Sequence, residues 1–94
     1  MMIAENYPVI ADMLKLYCHA NAFDLEGLRK QVHRQKWLDI NPTFRADFIK
    51  IIRGLMLGPD EYNRLTAIDL EAVEDVAEEL ETIFNFIYRD GPHP

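Results

Sequence analysis

The stretch Asn41-Pro42-Thr43-Phe44-Arg45-Ala46-Asp47-Phe48-Ile49-Lys50-Ile51-Ile52-Arg53-Gly54-Leu55-Met56-Leu57-Gly58-Pro59 decides the fold class. It opens on a capping residue, then a proline at the first helical position. Helices begin in that order because proline lacks an N–H that the first turn would leave unpaired anyway. Phe44, Phe48, Ile51, Ile52 and Leu55 then recur at helical spacing and share one face. Gly58 and Pro59 close the segment with a residue that tolerates a left-handed backbone and one that cannot continue a helix.

The same grammar extends outward. Upstream, the spacing predicts a helix over residues 7–20, capped by Asn6, with Pro8 in its first turn and Ile10, Met13, Leu14 and Tyr17 facing inward. A second helix is predicted over residues 24–36, capped by Asp24. Leu25, Leu28 and Val32 line its inner face, and Gly27 weakens it by about 1 kcal/mol relative to alanine. Its outer face carries Arg29, Lys30, His33, Arg34 and Lys36, and Trp37 and Leu38 read as a turn folding onto the core.

Downstream, residues 59–65 read as one short helical turn. Thr66 then opens a last helix reaching residue 88, with Asp69 three positions on in a near capping box. Leu70, Val73, Ala77, Leu80, Phe84 and Ile87 face inward, and Gly91 and Pro92 stop it. No segment alternates with period two across a turn dipeptide, so strands are not expected. The expected fold is all-α, a compact antiparallel bundle of four to five helices in a single helical domain over residues 1–94.

Composition bounds the function. The chain is 49% hydrophobic, enough for one core and too much for a disordered segment. Cys18 is the single cysteine, so an intramolecular disulfide is impossible. The first residues lack a basic region followed by an apolar run, so no signal peptide is expected, and no apolar stretch approaches the roughly 18 residues of a membrane span. These features predict a cytoplasmic protein. The net charge of −6 argues against nucleic acid or an anionic membrane as the partner and permits a basic protein.

Charge is segregated along the chain. Residues 24–53 carry seven cations against four carboxylates, whereas residues 54–90 carry two against ten. Glu71, Glu74, Asp75, Glu78 and Glu81 recur every three to four residues on the last helix and share an outer face, with no cation at that spacing before Arg89. One reading is a solvated face partly paired with the basic second and third helices. The other is a negative docking surface that steers a basic protein.

Catalytic signatures are missing. Cys18 and His19 are chain neighbours, which on a helix point about 100° apart, so Cys18 is expected to be a structural thiol. No His-x-x-x-His, Cys-x-x-Cys, EF-hand or Glu-x-x-His pattern is present, so no metal or cofactor is expected. The four glycines stand apart and the chain has no serine, which excludes a phosphate loop and a nucleophile elbow. The basic patch over residues 29–36 with Trp37 is too small, beside so acidic a region, to predict nucleic-acid binding. The expectation is no enzyme activity.

Among the aromatics, Phe23, Trp37, Tyr62 and Phe86 fall off the apolar stripes or in loops. Phe23 and Trp37 read as covers for core edges. Tyr62 and Phe86 read as possible apolar anchors beside the acidic row.

The opening Tyr7-Pro8-Val9-Ile10-Ala11-Asp12-Met13-Leu14-Lys15-Leu16-Tyr17-Cys18-His19-Ala20-Asn21-Ala22-Phe23-Asp24-Leu25-Glu26-Gly27 resembles that of small helical immunity proteins from bacterial contact-dependent growth inhibition and related polymorphic toxin systems. The matching positions are Tyr17, His19 and Asp24-Leu25-Glu26-Gly27. Cys18 stands where the pattern has an aromatic and Asn21 near where it has an acid. The resemblance implies a protein that binds a cognate toxin domain, often a basic nuclease, and blocks it by occlusion. On that expectation the contact residues are Glu71, Glu74, Asp75, Glu78 and Glu81, with Tyr62 or Phe86 as anchor. The alternative is a small acidic regulatory or adaptor module acting through protein contacts or homodimerisation. The oligomeric state stays open.

Overall fold

The computed structural model describes residues 2–67 and 75–88. Among them every regular element is helical: α1 (Ile3–Asn6), α2 (Pro8–Tyr17), α3 (Leu25–Val32), α4 (Gln35–Ile40), α5 (Phe44–Arg53), α6 (Pro59–Thr66) and α7 (Val76–Tyr88). The all-α class expected from the sequence is present. The count is seven helical segments among the described residues, where four to five were expected, because three junctions differ from the sequence reading.

The first is at Trp37. Residues 35–40 form a helix, α4, not a turn. Asn41 therefore closes α4 instead of opening α5. Its backbone and side-chain amides both donate to the Trp37 carbonyl, at 2.9 and 3.2 Å. The helix that decided the fold class starts two residues later, after Thr43.

The second is the end of α5. The turn after Arg53 is a Schellman motif: the Met56 amide donates to the Ile51 carbonyl at 3.1 Å and the Leu55 amide to Ile52 at 3.3 Å. Leu55, not Gly58, takes the left-handed position, at φ 51°. Its side chain leaves the expected inner stripe and is 76% exposed.

The third is Thr66, which ends α6 instead of opening the last helix. Its buried hydroxyl donates to the Tyr62 carbonyl at 2.8 Å, the back-bond that threonine makes inside helices. Ala67 follows at φ 55°, and the next described helix begins at Val76. Asp75 caps it, accepting the Glu78 amide at 3.3 Å. Leu70 and Val73, expected on the inner stripe, lie outside the described residues.

Other local readings stand. Asp24 caps α3 through the Gly27 amide at 2.9 Å. A Cβ at Gly27 would make the Asp24 carboxylate shift from its present position. Pro59 starts α6 at its first turn.

The helices close on one core. Ile10 and Leu14 of α2, Leu28 and Val32 of α3, Phe48 and Ile51 of α5, Tyr62 of α6 and Leu80, Ile83 and Ile87 of α7 are fully buried in it. α7 packs against α3 and α5, and α2 packs against α1, α3, α5 and α6. A chain of aromatic contacts crosses the core: Trp37 on Phe44 (4.7 Å), Phe44 on Phe48 (5.8 Å), Phe48 on Phe84 (5.4 Å) and Phe84 on Tyr88 (4.7 Å). Such pairs each add about 0.5–1.5 kcal/mol beyond burial, and here they bind α4, α5 and α7 into one unit.

α1 is held differently. Glu61 of α6 is a buried carboxylate that accepts the amides of Ile3 (3.2 Å) and Ala4 (3.3 Å). A side chain distant in sequence thus satisfies two of the orphan donors of the first turn.

Candidate functional site

α7 exists as a helix because Val76, Leu80, Ile83, Ile87 and Tyr88 recur at helical spacing and are buried. That packing turns Asp75, Glu78 and Glu81 to solvent, where all three are exposed. None of them forms an ion pair among the described residues, where the single ion pair is Arg29–Glu26, 3.1 Å, within α3. Glu71 and Glu74, the other two members of the expected row, lie outside the described residues.

Cations do lie against α7, but they meet its rings instead of its carboxylates. The Arg29 guanidinium stands 4.9 Å from the centroid of Phe86. That of Arg45 stands 5.5 Å from Phe84 and 5.4 Å from Tyr88. Cation–π contacts of this kind draw a guanidinium onto an aromatic face at no cost to the ring's burial. On the α5 side Glu81 borders a groove of about 370 Å³ shared with Arg45, Arg53 and Phe84.

The two expected anchors fare differently. Tyr62 is fully buried and cannot touch a partner, which corrects the sequence reading. Because α6 is two turns of helix, Glu61, Tyr62, Leu65 and Thr66 form its inner stripe. Phe86 is half-buried and already lies against Arg29, so it offers a partner only part of its ring.

Two polar groups, the Tyr62 hydroxyl and the Cys18 thiol, are buried in the apolar core within electrostatic reach of Glu79 on α7. The Tyr62 hydroxyl has no hydrogen-bond partner among the described residues. Burial, and then the nearby Glu79 carboxylate and Cys18, push its pKa well up. Burial and then Glu79 likewise push the Cys18 thiol up to about 12, so at neutral pH it is an unionised core group. Burial also raises Tyr88 to about 12, against the opposing pull of Arg45.

The residues carrying the family resemblance build one tight connection between α2 and α3. The Asp24 amide donates to the Tyr17 carbonyl at 2.8 Å. His19 Nδ1 accepts the Asn21 amide at 3.1 Å. His33, on the basic face, serves α7: its Nε2 lies 2.9 Å from the Ile87 carbonyl. A carbonyl only accepts, so that nitrogen carries the proton and satisfies an orphan acceptor in the last turn. No segment distant from α7 signalled this bond in the sequence.

Among the described residues no group of three or more His, Cys, Asp or Glu side chains is placed to hold a metal ion. No described helix is long and apolar enough to cross a membrane. Comparison of the chain with protein-family models, curated proteins and solved structures finds no match.

Proposed function

We propose that the protein is an immunity protein that binds a cognate basic toxin domain, a nuclease by class, and neutralises it by stoichiometric occlusion without turnover. The observation that carries this reading is the exposed set Asp75, Glu78 and Glu81, which forms no ion pair among the described residues although Arg29 and Arg45 lie against the same helix. Glu78 and Glu81, held on a helix and in no ion pair among the described residues, lose no internal salt partner on meeting a cation, whereas Asp75 also caps the helix through the Glu78 amide. Desolvated acid–base pairs at an interface couple by about 1.5–7 kcal/mol, a useful share of the about 12 kcal/mol that a nanomolar complex needs. The resemblance of residues 7–27 to such immunity proteins supports the class.

The test is to express the C-terminal domain of the protein encoded immediately upstream and measure its binding and activity with this chain. Inhibition at one-to-one stoichiometry supports the reading. An upstream product that neither binds nor is inhibited removes it.

A second reading is a regulatory or adaptor module that pairs through apolar surface. It is favoured by Val9, Leu16, Ile40 and Leu55, which stay 39–76% exposed. Sedimentation at micromolar concentration separates the two: a stable dimer indifferent to the toxin domain selects this second reading.

A further inference from the structure

Two grooves flank Val9 on the face shared by α2 and α4, and no residue of α7 lines either of them. One, of about 230 Å³, has walls that include Tyr7, Pro8, Ile40 and Phe44, and Asp47 is its only charged lining residue. The other, of about 220 Å³, has walls that include Met13, Leu16, Tyr17 and Trp37, and Asp12 is its only charged lining residue. Between and beside them Val9, Leu16 and Ile40 are exposed.

The two carboxylates are available. Asp12 makes no side-chain hydrogen bond or ion pair among the described residues. Asp47 accepts one hydrogen bond, from the Thr43 hydroxyl at 3.0 Å, and that neutral donor leaves its charge uncompensated. A cavity with apolar and aromatic walls, a few uncharged polar side chains (Asn6, Asn41 and Thr43 in one groove, Gln31 in the other) and one carboxylate suits a long cationic side chain. The stem packs on the walls while the head meets a ring face and the carboxylate. Guanidinium fits better than ammonium, because it is planar, less strongly hydrated and able to stack. The molecule uses the same chemistry internally where Arg29 and Arg45 lie over rings of α7.

We propose that this α2–α4 face is a docking surface for a basic segment of a partner protein, two arginine side chains entering the grooves on either side of Val9 while apolar residues between them cover Val9, Leu16 and Ile40. The charge complementarity is the argument: each groove carries one carboxylate and no cation. The surface is independent of the α7 row and stands or falls separately.

Trp37 is the only tryptophan and lines one groove, so its emission reports occupancy. The probe is an amphipathic peptide with two arginines bracketing leucines, set against the same peptide with glutamines in place of both arginines. The expected result is a saturable change in Trp37 emission with the arginine peptide. Affinity should fall at least tenfold in the Asp12→Asn/Asp47→Asn variant and hold in Glu78→Gln/Glu81→Gln. Asp12→Asn alone keeps the test decisive if the change at Asp47 unsettles α5, with a loss of several-fold expected. Equal binding of the glutamine peptide, or full affinity in the aspartate variants, overturns the proposal. So does self-association of the parent that Val9→Asp abolishes, which would assign the face to a second copy of the chain.

Discussion

The guanidinium of Arg29 lies over the ring of Phe86, 4.9 Å from its centroid, and not beside any described carboxylate of α7. Arg45 repeats the arrangement on the opposite flank, over Phe84 and Tyr88. α7 is therefore gripped through its aromatic residues, and its Glu78 and Glu81 form no ion pair among the described residues.

One consequence concerns salt. Asp75, Glu78 and Glu81 are spaced i, i+3 on one helix, where like charges cost about 0.2–0.5 kcal/mol per pair. Screening should relieve that repulsion and weaken little that is attractive. Raising ionic strength from about 20 mM to about 0.5 M should therefore raise the melting temperature. Glu78→Gln/Glu81→Gln should match or exceed the parent at low salt. A melting temperature that falls with salt would mean these carboxylates hold the fold together.

Tyr62 supplies a sharper test of the core. Its hydroxyl is buried without a partner among the described residues, so it bears the desolvation penalty and receives no bond in return. Tyr62→Phe should stabilise the protein by about 1 kcal/mol in urea denaturation. A loss of stability would show that the hydroxyl is satisfied in solution, for instance by a buried water.

Leu55 occupies a left-handed position with its side chain in solvent. A non-glycine residue there costs about 1–2 kcal/mol, whereas glycine raises unfolded-state entropy by about 0.5–1 kcal/mol. Leu55→Gly should therefore stabilise by about 0.5–1 kcal/mol. Thermal unfolding checks it, and a drop in melting temperature would show that the leucine packs on something in solution.

Alkaline pH should destabilise the fold through Cys18. The buried thiol titrates near 12, against a usual 9.0. Because its folded pKa is raised, the contribution is complete below pH 9.0 and is lost as pH climbs toward 12. Stability measured across that window should fall, and Cys18→Ala should flatten the slope. The native thiol should also resist disulfide reagents at neutral pH and react once denaturant exposes it.

Much of this architecture is legible in the sequence where the signal is local. Asp24 caps three residues on, Pro59 starts a helix, and the stripes through Ile10, Phe48 and Leu80 face the core as their spacing requires. At Asn41 and Thr66 the structure departs from the sequence pattern because one residue type serves two structural ends. Asn41 has an amide that closes a helix as readily as its oxygen opens one, and Thr66 bonds back to Tyr62 instead of forward. Asp75 was hidden as a cap among five carboxylates of equal appearance. Tyr62 reads as a surface ring in a segment one turn long, whereas α6 has two turns and shows its inner stripe only over both.

What no local pattern could reveal are bonds across the chain. Glu61 serves the amides of Ile3 and Ala4, 58 and 57 residues away, and His33 serves Ile87, 54 residues away. The candidate site divides in the same manner. The acidic row is a sequence feature, whereas the absence of ion pairs from Arg29 and Arg45 to Glu78 and Glu81 depends on where the rings of Phe84, Phe86 and Tyr88 come to lie.

The most direct test of the central claim is the association rate of the upstream toxin domain with the parent and with Glu78→Lys/Glu81→Lys, measured by stopped flow at several salt concentrations. The account predicts association at least about tenfold slower for the reversed variant at low salt, with a flatter dependence on ionic strength. An unchanged rate and an unchanged salt slope would contradict it and place the contact elsewhere on the molecule.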